Sequence, residues 1–284
     1  MNEPMDRHTT FCVGGPAACL ATVDTTAQLQ SVLSYLQRTG WEFFLLGNGS
    51  NLLVGDRGYR GVVIRLGDGF RSVRTEGERI MAGAGAPLSS VANAAWEAGL
   101  TGMEFAAGIP GTLGGALRMN AGAYGGEMAQ VVESVRVMAQ DGEILTLCNA
   151  DMEFGYRTSA IKDRYYVVLQ AVLKLSAGRQ EEIGERMKEL SRRRREKQPL
   201  EFPSAGSVFK RPEGYFTGKL IMDAGLAGKS CGGARISEKH CGFIVNADHA
   251  TAADIAELIG ETVRTVRDKF GVTLEPEVIL LGDF

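Results

Sequence analysis

Two glycine-rich loops carry the residues of this sequence whose types and spacing most directly suggest chemistry. The first, residues 47–51, reads Gly-Asn-Gly-Ser-Asn and directly follows the apolar run 43–46. The second, residues 102–126, has too many glycines for a long regular helix and too few charges for a solvated linker. Glycine has no Cβ to hold a ligand away, and successive bare amides form concavities that bind anions. Two such loops favour a large phosphate-bearing cofactor that lies across both.

A run of four arginines is the second feature with a chemical interpretation. It occupies residues 192–195, at the end of a stretch of helical composition, residues 181–197. Such a run is typical of a solvated helix face. It leads directly into a third glycine-containing loop, residues 203–210, so an anion clamp remains the alternative.

Composition limits the classes of function. The chain has 284 residues, enough for two or three compact domains. Its net charge of −3, without a basic region, disfavours nucleic acid as a partner. The five cysteines lack metal-ligand spacing, and the polar start has no apolar leader. We therefore expect reduced thiols, a cytoplasmic protein and no membrane insertion, because no apolar run approaches the length of a membrane span.

Local signals predict the elements that position these loops. Thr25 with Gln28 forms a capping box at the start of a helix that ends at Gly40. Thr251 with Asp254 predicts a second capped helix near the end of the chain. Between them, strand-like and helix-like patterns alternate in two successive layers.

The middle of the chain carries two further local signals. Pro87 suits the first position of a helix, because its fixed φ fits there and its missing N–H would have no helical partner. Asp141 and Gly142 predict a hairpin turn between the strands at 131–138 and 144–147.

Six motifs in order make a family resemblance specific. They occupy residues 46–54, 108–111, 119–125, 156–157, 205–210 and 274–278. Together they resemble the UDP-N-acetylenolpyruvoylglucosamine reductases (MurB), flavoenzymes also called UDP-N-acetylmuramate dehydrogenases. The resemblance spans nearly the whole chain, and the short chain resembles the compact type II branch.

The resemblance implies an α+β architecture: a two-subdomain FAD-binding fold of the PCMH/vanillyl-alcohol-oxidase type, then a substrate domain. The expected subdomains are residues 1–68 and 69–177, and the substrate domain is 178–284, whose last strand carries a catalytic glutamate. The implied reaction moves a hydride from NADPH to FAD. The hydride is then transferred from FAD to the enolpyruvyl group of UDP-N-acetylglucosamine enolpyruvate, which gives UDP-N-acetylmuramate for peptidoglycan. The first loop has no histidine for covalent attachment, so we expect non-covalent FAD.

The expected cofactor contacts lie on both glycine-rich loops. In the first loop they are Gly47, Asn48, Gly49, Ser50 and Asn51. In the second they are Gly108, Ile109, Pro110, Gly111, Thr112, Gly114, Gly115, Asn120, Ala121, Gly122 and Ala123.

Three positions match the catalytic residues of the family. Arg157 would hold the carboxylate on which charge develops, since arginine stays charged and can fork onto a carboxylate. Ser207 would donate a proton to C2, because the enolate formed by hydride addition at C3 is a strong base. Glu277 would assist as the C-terminal acid, although Glu275 lies on the same side of an extended strand. The alternatives are a surface salt bridge for Arg157, a turn-forming hydroxyl for Ser207, and exposed strand edges for the glutamates.

The substrate diphosphate also needs cations. Matches to the motifs give the expected substrate contacts Tyr156, Arg194, Lys197, Lys210 and Arg211. Arg211 stands where the family usually has Asn, and Arg235 stands where it usually has Gln. Both differences put a positive charge near the expected substrate.

Other assignments remain open at this stage. His240 is expected to order its loop rather than to act in acid–base catalysis, and it lacks the ligand-spaced partners of a metal site. One alternative function is an FAD-dependent oxidase of the same fold, acting on an alcohol or sugar. Another is a non-catalytic nucleotide-binding module, which would not need all three catalytic residues.

Overall fold

The computed structural model describes all 284 residues. Its helices are α1 (Thr26–Thr39), α2 (Leu88–Glu97), α3 (Leu113–Arg118), α4 (Ala160–Asp163), α5 (Gln180–Lys197), α6 (Thr217–Asp223) and α7 (Ala252–Phe270). None of them combines the length and the apolar character that crossing a membrane requires.

The strands are mostly short. They are β1 (Glu3–Pro4), β2 (Pro16–Val23), β3 (Phe43–Leu46), β4 (Leu52–Val54), β5 (Tyr59–Leu66), β6 (Val73–Glu76), β7 (Arg79–Gly83), β8 (Leu100–Thr101), β9 (Gly122–Ala123), β10 (Gly126–Glu127), β11 (Val132–Met138), β12 (Ile144–Cys148), β13 (Val167–Lys174), β14 (Ser176–Ala177), β15 (Ser230–Cys231), β16 (Ala234–Ile236), β17 (Ile244–Asn246) and β18 (Ile279–Leu281). The four-stranded sheet has the order β1-β2-β5-β3, and the five-stranded sheet has the order β12-β11-β13-β7-β6.

The predicted capping signals are confirmed. The hydroxyl of Thr25 accepts the Gln28 N–H at 3.1 Å, and the Gln28 side chain accepts the Thr25 N–H at 3.1 Å. Gly40 ends α1 in the left-handed region with φ 70°. Thr251 and Asp254 form the same reciprocal cap on α7. These ends satisfy N–H groups that have no partner inside the helix.

The chain forms two compact units. Unit 1 comprises Met1–Leu20, Asn48–Val62 and Arg195–Phe284, and unit 2 comprises Ala21–Gly47 and Val63–Arg194. The boundaries of these units differ from 68 and 177, so the expected division into three domains stays a prediction.

Unit 2 is built on the five-stranded antiparallel sheet. One row of apolar residues crosses all five strands in register: Leu147, Val135, Ala171, Ala82 and Val73. Its three central members are at most 1% exposed. The hairpin between β11 and β12 turns at residues 141–142, as the sequence predicts. Pro87 lies just before α2 as its N-cap residue, one position earlier than expected.

Unit 1 has its own core around α6, α7 and the sheet β15-β16-β17. Ile221, Ile236, Ile244 and Leu258 are all at most 1% exposed in it. The final strand β18 pairs in parallel with β4, and Ile279 lies opposite Leu52. This pairing brings the C-terminal segment beside the end of the first glycine-rich loop.

Candidate active site

In unit 2, parts of the two glycine-rich loops touch each other. A Cβ built on Gly47 would stand 2.9 Å from Thr112 Oγ1, so only a glycine fits there without a shift. Thr112 is buried, and its hydroxyl accepts the Gly115 N–H at 3.3 Å at the start of α3. The two glycine-rich loops therefore lie close together at Gly47 and Thr112.

Backbone hydrogen bonds hold the second loop against the turn before α2. The Gly111 carbonyl accepts the Leu88 N–H at 2.9 Å. The Gly114 N–H donates to the Ala84 carbonyl at 2.8 Å. Because these bonds use the main chain alone, the loop needs no large side chains and its glycine faces stay bare.

The rest of the first loop lies in unit 1. Gly49 has φ 62°, and a Cβ there would come within 2.0 Å of the His8 carbonyl oxygen. The Asn51 amide donates to the Glu277 carbonyl at 3.0 Å, and the Asn51 carbonyl accepts the Ile279 N–H at 3.1 Å. The expected cofactor loop is thus tied to the backbone of a predicted catalytic residue.

Asn120 organises the end of the glycine-rich stretch. It is 2% exposed with φ 42°, a left-handed conformation that asparagine adopts more readily than most residues. Its side-chain amide donates to the Gly155 carbonyl at 3.1 Å, and its oxygen accepts the Ala129 N–H at 3.0 Å. The second glycine-rich loop is therefore fixed to the turn that carries Arg157.

Arg157 lies at the tip of a two-residue turn. Gly155 and Thr158 close this turn with reciprocal backbone hydrogen bonds of 3.1 and 3.4 Å. Arg157 has φ 58°, a conformation that is uncommon for a residue with a side chain. Its guanidinium donates to the Gly122 carbonyl at 3.5 Å and lies 5.3 Å from the ring centre of Tyr156. The turn thus places Arg157 beside the second glycine-rich loop within unit 2.

The arginine run divides into different environments. Arg192 and Arg193 both bind Glu189, at 2.8 and 2.7 Å, and lower the pKa of that carboxyl to about 2. Arg194 is half-buried, and its Cδ would be 3.2 Å from a Cβ on Gly108. Burial lowers the pKa of Arg194. Lys197 is exposed at the end of α5.

In unit 1, the segment of Ser207 pairs with the segment of Glu277. Val208 accepts the Glu277 N–H at 2.7 Å, and the Lys210 N–H donates to the Glu275 carbonyl at 2.9 Å. Both Ser207 and Glu277 are half-buried. The Lys210 ammonium also forms an ion pair with the Glu275 carboxylate. The structure therefore brings Ser207 and Glu277 onto adjacent segments and engages Glu275 with a lysine.

Arg211 and Arg235, which stand where the family usually has Asn and Gln, each stack on an aromatic ring of unit 1. Arg211 lies 4.0 Å from the ring centre of Phe216, and its Nε donates to the Tyr215 carbonyl at 3.0 Å. Arg235 lies 5.3 Å from the ring centre of Phe202. Such stacking helps to hold a planar guanidinium in place.

Sequence reasoning missed Gly242. Its carbonyl accepts the Val208 N–H at 2.8 Å, on the side of the Ser207 segment away from Glu277. The only available signal was a glycine two residues after His240, which is too common a pattern to stand out.

The residues of unit 2 fit a dinucleotide cofactor. Gly47, Gly108 and Gly115 are exposed and carry no side chain, so a diphosphate could approach their backbone closely. A side chain at Gly47 would instead fill the space beside Thr112.

Comparisons with known proteins agree with this arrangement. A family model of an FAD binding domain matches residues 17–147. A model of the C-terminal domain of UDP-N-acetylenolpyruvoylglucosamine reductase matches residues 198–281.

Similar whole proteins extend the match to the full chain. A UDP-N-acetylenolpyruvoylglucosamine reductase from Caldanaerobacter subterraneus is 53% identical, covering 100% of this chain and 93% of the relative. One from Lachnoclostridium phytofermentans is 49% identical, covering 99% of this chain and 92% of the relative. The crystal structure of MurB from Thermus caldophilus superposes with a TM-score of 0.85 at 40% identity, covering 98% and 97% of the two chains.

These matches confirm the expected fold, an FAD-binding domain followed by the C-terminal domain of the reductase family. The chain belongs to the UDP-N-acetylenolpyruvoylglucosamine reductase family of FAD-containing oxidoreductases.

Proposed function

We propose that the chain reduces the enolpyruvyl group of UDP-N-acetylglucosamine enolpyruvate to UDP-N-acetylmuramate, with NADPH as the electron donor. We place this reaction in the cytoplasm, as a step of peptidoglycan synthesis. Residues 1–68 and 69–177 are proposed to bind FAD, and residues 178–284 the sugar nucleotide. Hydride transfer from NADPH to C3 of the enolpyruvyl group is the chemistry that FAD supplies when it is bound.

Arg157 is proposed to bind the carboxylate of the enolpyruvyl group. Addition of a hydride at C3 breaks the C2–C3 double bond and leaves negative charge at C2 and on the carboxylate. A guanidinium stabilises that charge best when it is held in place before the reaction. The closed turn of Gly155 and Thr158 and the bond to Gly122 supply such a fixed position.

Ser207 is proposed to give its hydroxyl proton to C2, which completes the new C–H bond. The serine then regains a proton from solvent, so one NADPH and one proton are consumed for each saturated product. The observation that carries this proposal is the 2.7 Å bond from the Glu277 N–H to the carbonyl of Val208, the residue after Ser207. This bond supports the proposal that the carboxyl of Glu277 acts beside Ser207, the proton donor.

Glu277 rather than Glu275 is proposed as the assisting acid. The ion pair of Glu275 with Lys210 leaves Glu275 with a structural role. Glu277 is half-buried, where a carboxyl interacts more strongly with developing charge than it does in water.

The diphosphate of the sugar nucleotide is proposed to bind Arg194, Lys197 and Lys210, with Tyr156 and Arg211 as further contacts. Lys210 would keep its ion pair with Glu275 and offer its remaining N–H donors to a phosphate. The half-buried position of Arg194 supports its proposed contact with the diphosphate, because less hydrated cations bind phosphate more strongly.

The test is NADPH consumption by the purified protein with and without the enolpyruvyl sugar nucleotide. We expect consumption that requires the sugar nucleotide, and a product heavier by two hydrogen atoms. Acid precipitation should release yellow flavin into the supernatant, since no residue of the first loop can hold it covalently. Reoxidation of the reduced flavin by oxygen, and not by the sugar nucleotide, would instead support the oxidase alternative.

A further inference from the structure

His240 and Ser207 lie against the same glycine of unit 1. A Cβ built on Gly242 would stand 3.0 Å from Cε1 and 3.1 Å from Nδ1 of His240. The same Cβ would stand 3.2 Å from Ser207 Oγ. Both side chains therefore border the space that a Cβ at position 242 would occupy, and a larger residue there would displace one of them.

Two hydrogen bonds connect the imidazole to the segment of Ser207. The Gly242 N–H donates to His240 Nδ1 at 3.1 Å. The Gly242 carbonyl accepts the Val208 N–H at 2.8 Å. One glycine thus relays the position of the ring to the residue that follows Ser207.

This arrangement requires a neutral ring. Nδ1 accepts a hydrogen bond only when it carries no proton, so the proton of the ring lies on Nε2. The ring packs edge-on against Phe243, with centroids 5.0 Å apart, and close to Gly218 of α6. Burial lowers the pKa of His240 from its ordinary value of 6.5. The neutral form is therefore the one present in the folded protein at neutral pH.

Charged neighbours are not among the causes that keep the ring of His240 neutral. The titratable side chains on the elements packed around the ring are Glu238, Lys239 and Cys241 on its own turn, Lys219 and Asp223 on α6, and Lys210 on the Ser207 segment. Burial is the larger cause and lowers the pKa of His240, a backbone hydrogen bond raises it, and none of these groups is among the causes.

We propose that His240 is a positioning residue for Ser207, acting through the hydrogen bond from the Gly242 N–H to Nδ1. This inference rests on the proposed function, in which Ser207 donates the proton to C2. A protonated ring would present an N–H to the Gly242 N–H, so the turn would lose its anchor and Val208 its fixed acceptor. The substrate step would then slow, whereas flavin reduction by NADPH, which needs no proton at C2, would not.

Two substitutions distinguish the role of Nδ1 as a hydrogen-bond acceptor from the role of the imidazole ring itself. In His240→Asn, Oδ1 takes the place of Nδ1 at the same distance along the side chain, accepts the Gly242 N–H and cannot titrate. His240→Leu keeps an apolar side chain but has no acceptor. His249→Asn is the matched control, because His249 is an exposed imidazole of the same unit with φ 51°, which asparagine tolerates.

The first measurement is the rate at which the enolpyruvyl sugar nucleotide reoxidises the NADPH-reduced enzyme without oxygen. We expect His240→Leu to slow this step about 10- to 100-fold, because small misplacements of a reacting group have effects of that size. His240→Asn should run close to the wild-type rate, and all variants should be reduced by NADPH equally. Normal reoxidation by His240→Leu would overturn the proposal.

The second measurement is the pH profile of the same step. The wild-type rate and the His249→Asn rate should fall as the pH is lowered below the ordinary histidine value of 6.5. The His240→Asn rate should show no fall in that window. The same sign holds for stability: a histidine with a lowered folded pKa stabilises the fold above pH 6.5 and loses that contribution as pH falls through the folded value. An unchanged fall in His240→Asn would overturn the proposal even if His240→Leu does not fold.

A third measurement is independent of activity. Amide hydrogen exchange at Gly242 and Val208 should speed up in His240→Leu and stay slow in His240→Asn. Equal protection in both variants would contradict the anchoring role of Nδ1. If the wild-type enzyme is not reoxidised by the sugar nucleotide, the proposed function fails, and hydrogen exchange still decides the role of His240.

Discussion

The loop at 108–115 in unit 2 and the segment at 207–210 in unit 1 are both held by backbone hydrogen bonds, but they differ in their exposed groups. In the first, backbone bonds to Ala84 and Ala86 fix the chain, and exposed glycines leave its outer face bare. In the second, backbone bonds to Gly242 and Glu277 fix Val208, and the side chains of Ser207 and Lys210 on either side are half-buried.

The comparison separates two uses of a loop. In the proposed function the unit 2 loop offers main chain to the cofactor, so added volume should harm it more than a change of chemistry. The unit 1 segment offers side-chain atoms, so a change of one functional group should harm it without altering the fold. Substitutions that keep either volume or chemistry constant test this difference.

Ser207→Ala should have the largest effect. It removes one hydroxyl and leaves the backbone pairing with Glu277 in place. We expect turnover to fall about 10²–10⁴-fold, the usual contribution of positioned proton transfer. Ser207→Cys should recover part of the rate, since a thiol also gives a proton. Ser204→Ala, earlier in the loop at 203–210, is the control and should turn over normally.

Arg157→Lys tests whether unit 2 also contributes a reacting side chain. An ammonium keeps the charge but cannot fork onto a carboxylate. We expect kcat/KM to fall about 10- to 100-fold, the range for losing a hydrogen bond to a charged group. Arg164→Lys changes an exposed arginine that is paired with Glu153, and should leave kcat/KM unchanged. Equal effects of the two changes would assign Arg157 to a surface salt bridge.

Gly115→Ala tests the bare face of the unit 2 loop. A Cβ there would meet only Thr112 Oγ1, at 3.5 Å, so the protein itself has room for it. Alanine in a helix should stabilise the FAD-free protein by about 0.5–1 kcal/mol. If Gly115 contacts the cofactor as proposed, FAD should nevertheless bind roughly tenfold more weakly, because the methyl group would keep the cofactor from the backbone.

The control for this change is Gly260→Ala on α7, where a Cβ would meet the flexible end of Arg264 at 3.2 Å. It should raise stability without changing FAD affinity. Thermal melting and flavin titration measure the two quantities separately. Unchanged FAD affinity in Gly115→Ala would mean that the glycine serves only the helix.

Lys197→Ala should have the smallest effect. Lys197 is exposed at the end of α5, and exposed ion pairs contribute little. We expect the KM for the sugar nucleotide to rise about 2- to 5-fold, with flavin reduction by NADPH unchanged. Lys188→Ala, an exposed lysine on the same helix, should not alter KM. A KM that does not move in either variant would remove Lys197 from the proposed diphosphate contacts.

Local signals in the sequence predicted the parts of the fold that are decided locally. The caps at Thr25 and Thr251 and the turn at Gly142 depend on neighbours within a few residues, so their side chains specify them. Pro87 was misplaced by one position, because proline is compatible with either side of a helix start.

Contacts between distant segments could not be predicted in this way. The carboxylate of Asp56 accepts hydrogen bonds from the N–H groups of Ala252 and Ala253 at 2.8 and 2.9 Å. No local sequence pattern predicts these two bonds. The relay from His240 through Gly242 to Val208 is equally invisible in the sequence. For the candidate site, the resemblance supplied the residues Ser207 and Glu277, and only the structure supplied their pairing.

The most direct test of the account follows the two half-reactions separately in wild type and Ser207→Ala, by flavin absorbance without oxygen. NADPH should bleach both proteins at similar rates. The enolpyruvyl sugar nucleotide should then restore the colour of the wild type rapidly and that of Ser207→Ala very slowly. Equal recovery of colour in the two proteins, or a defect of Ser207→Ala in the NADPH step, would contradict the claim that Ser207 delivers the proton.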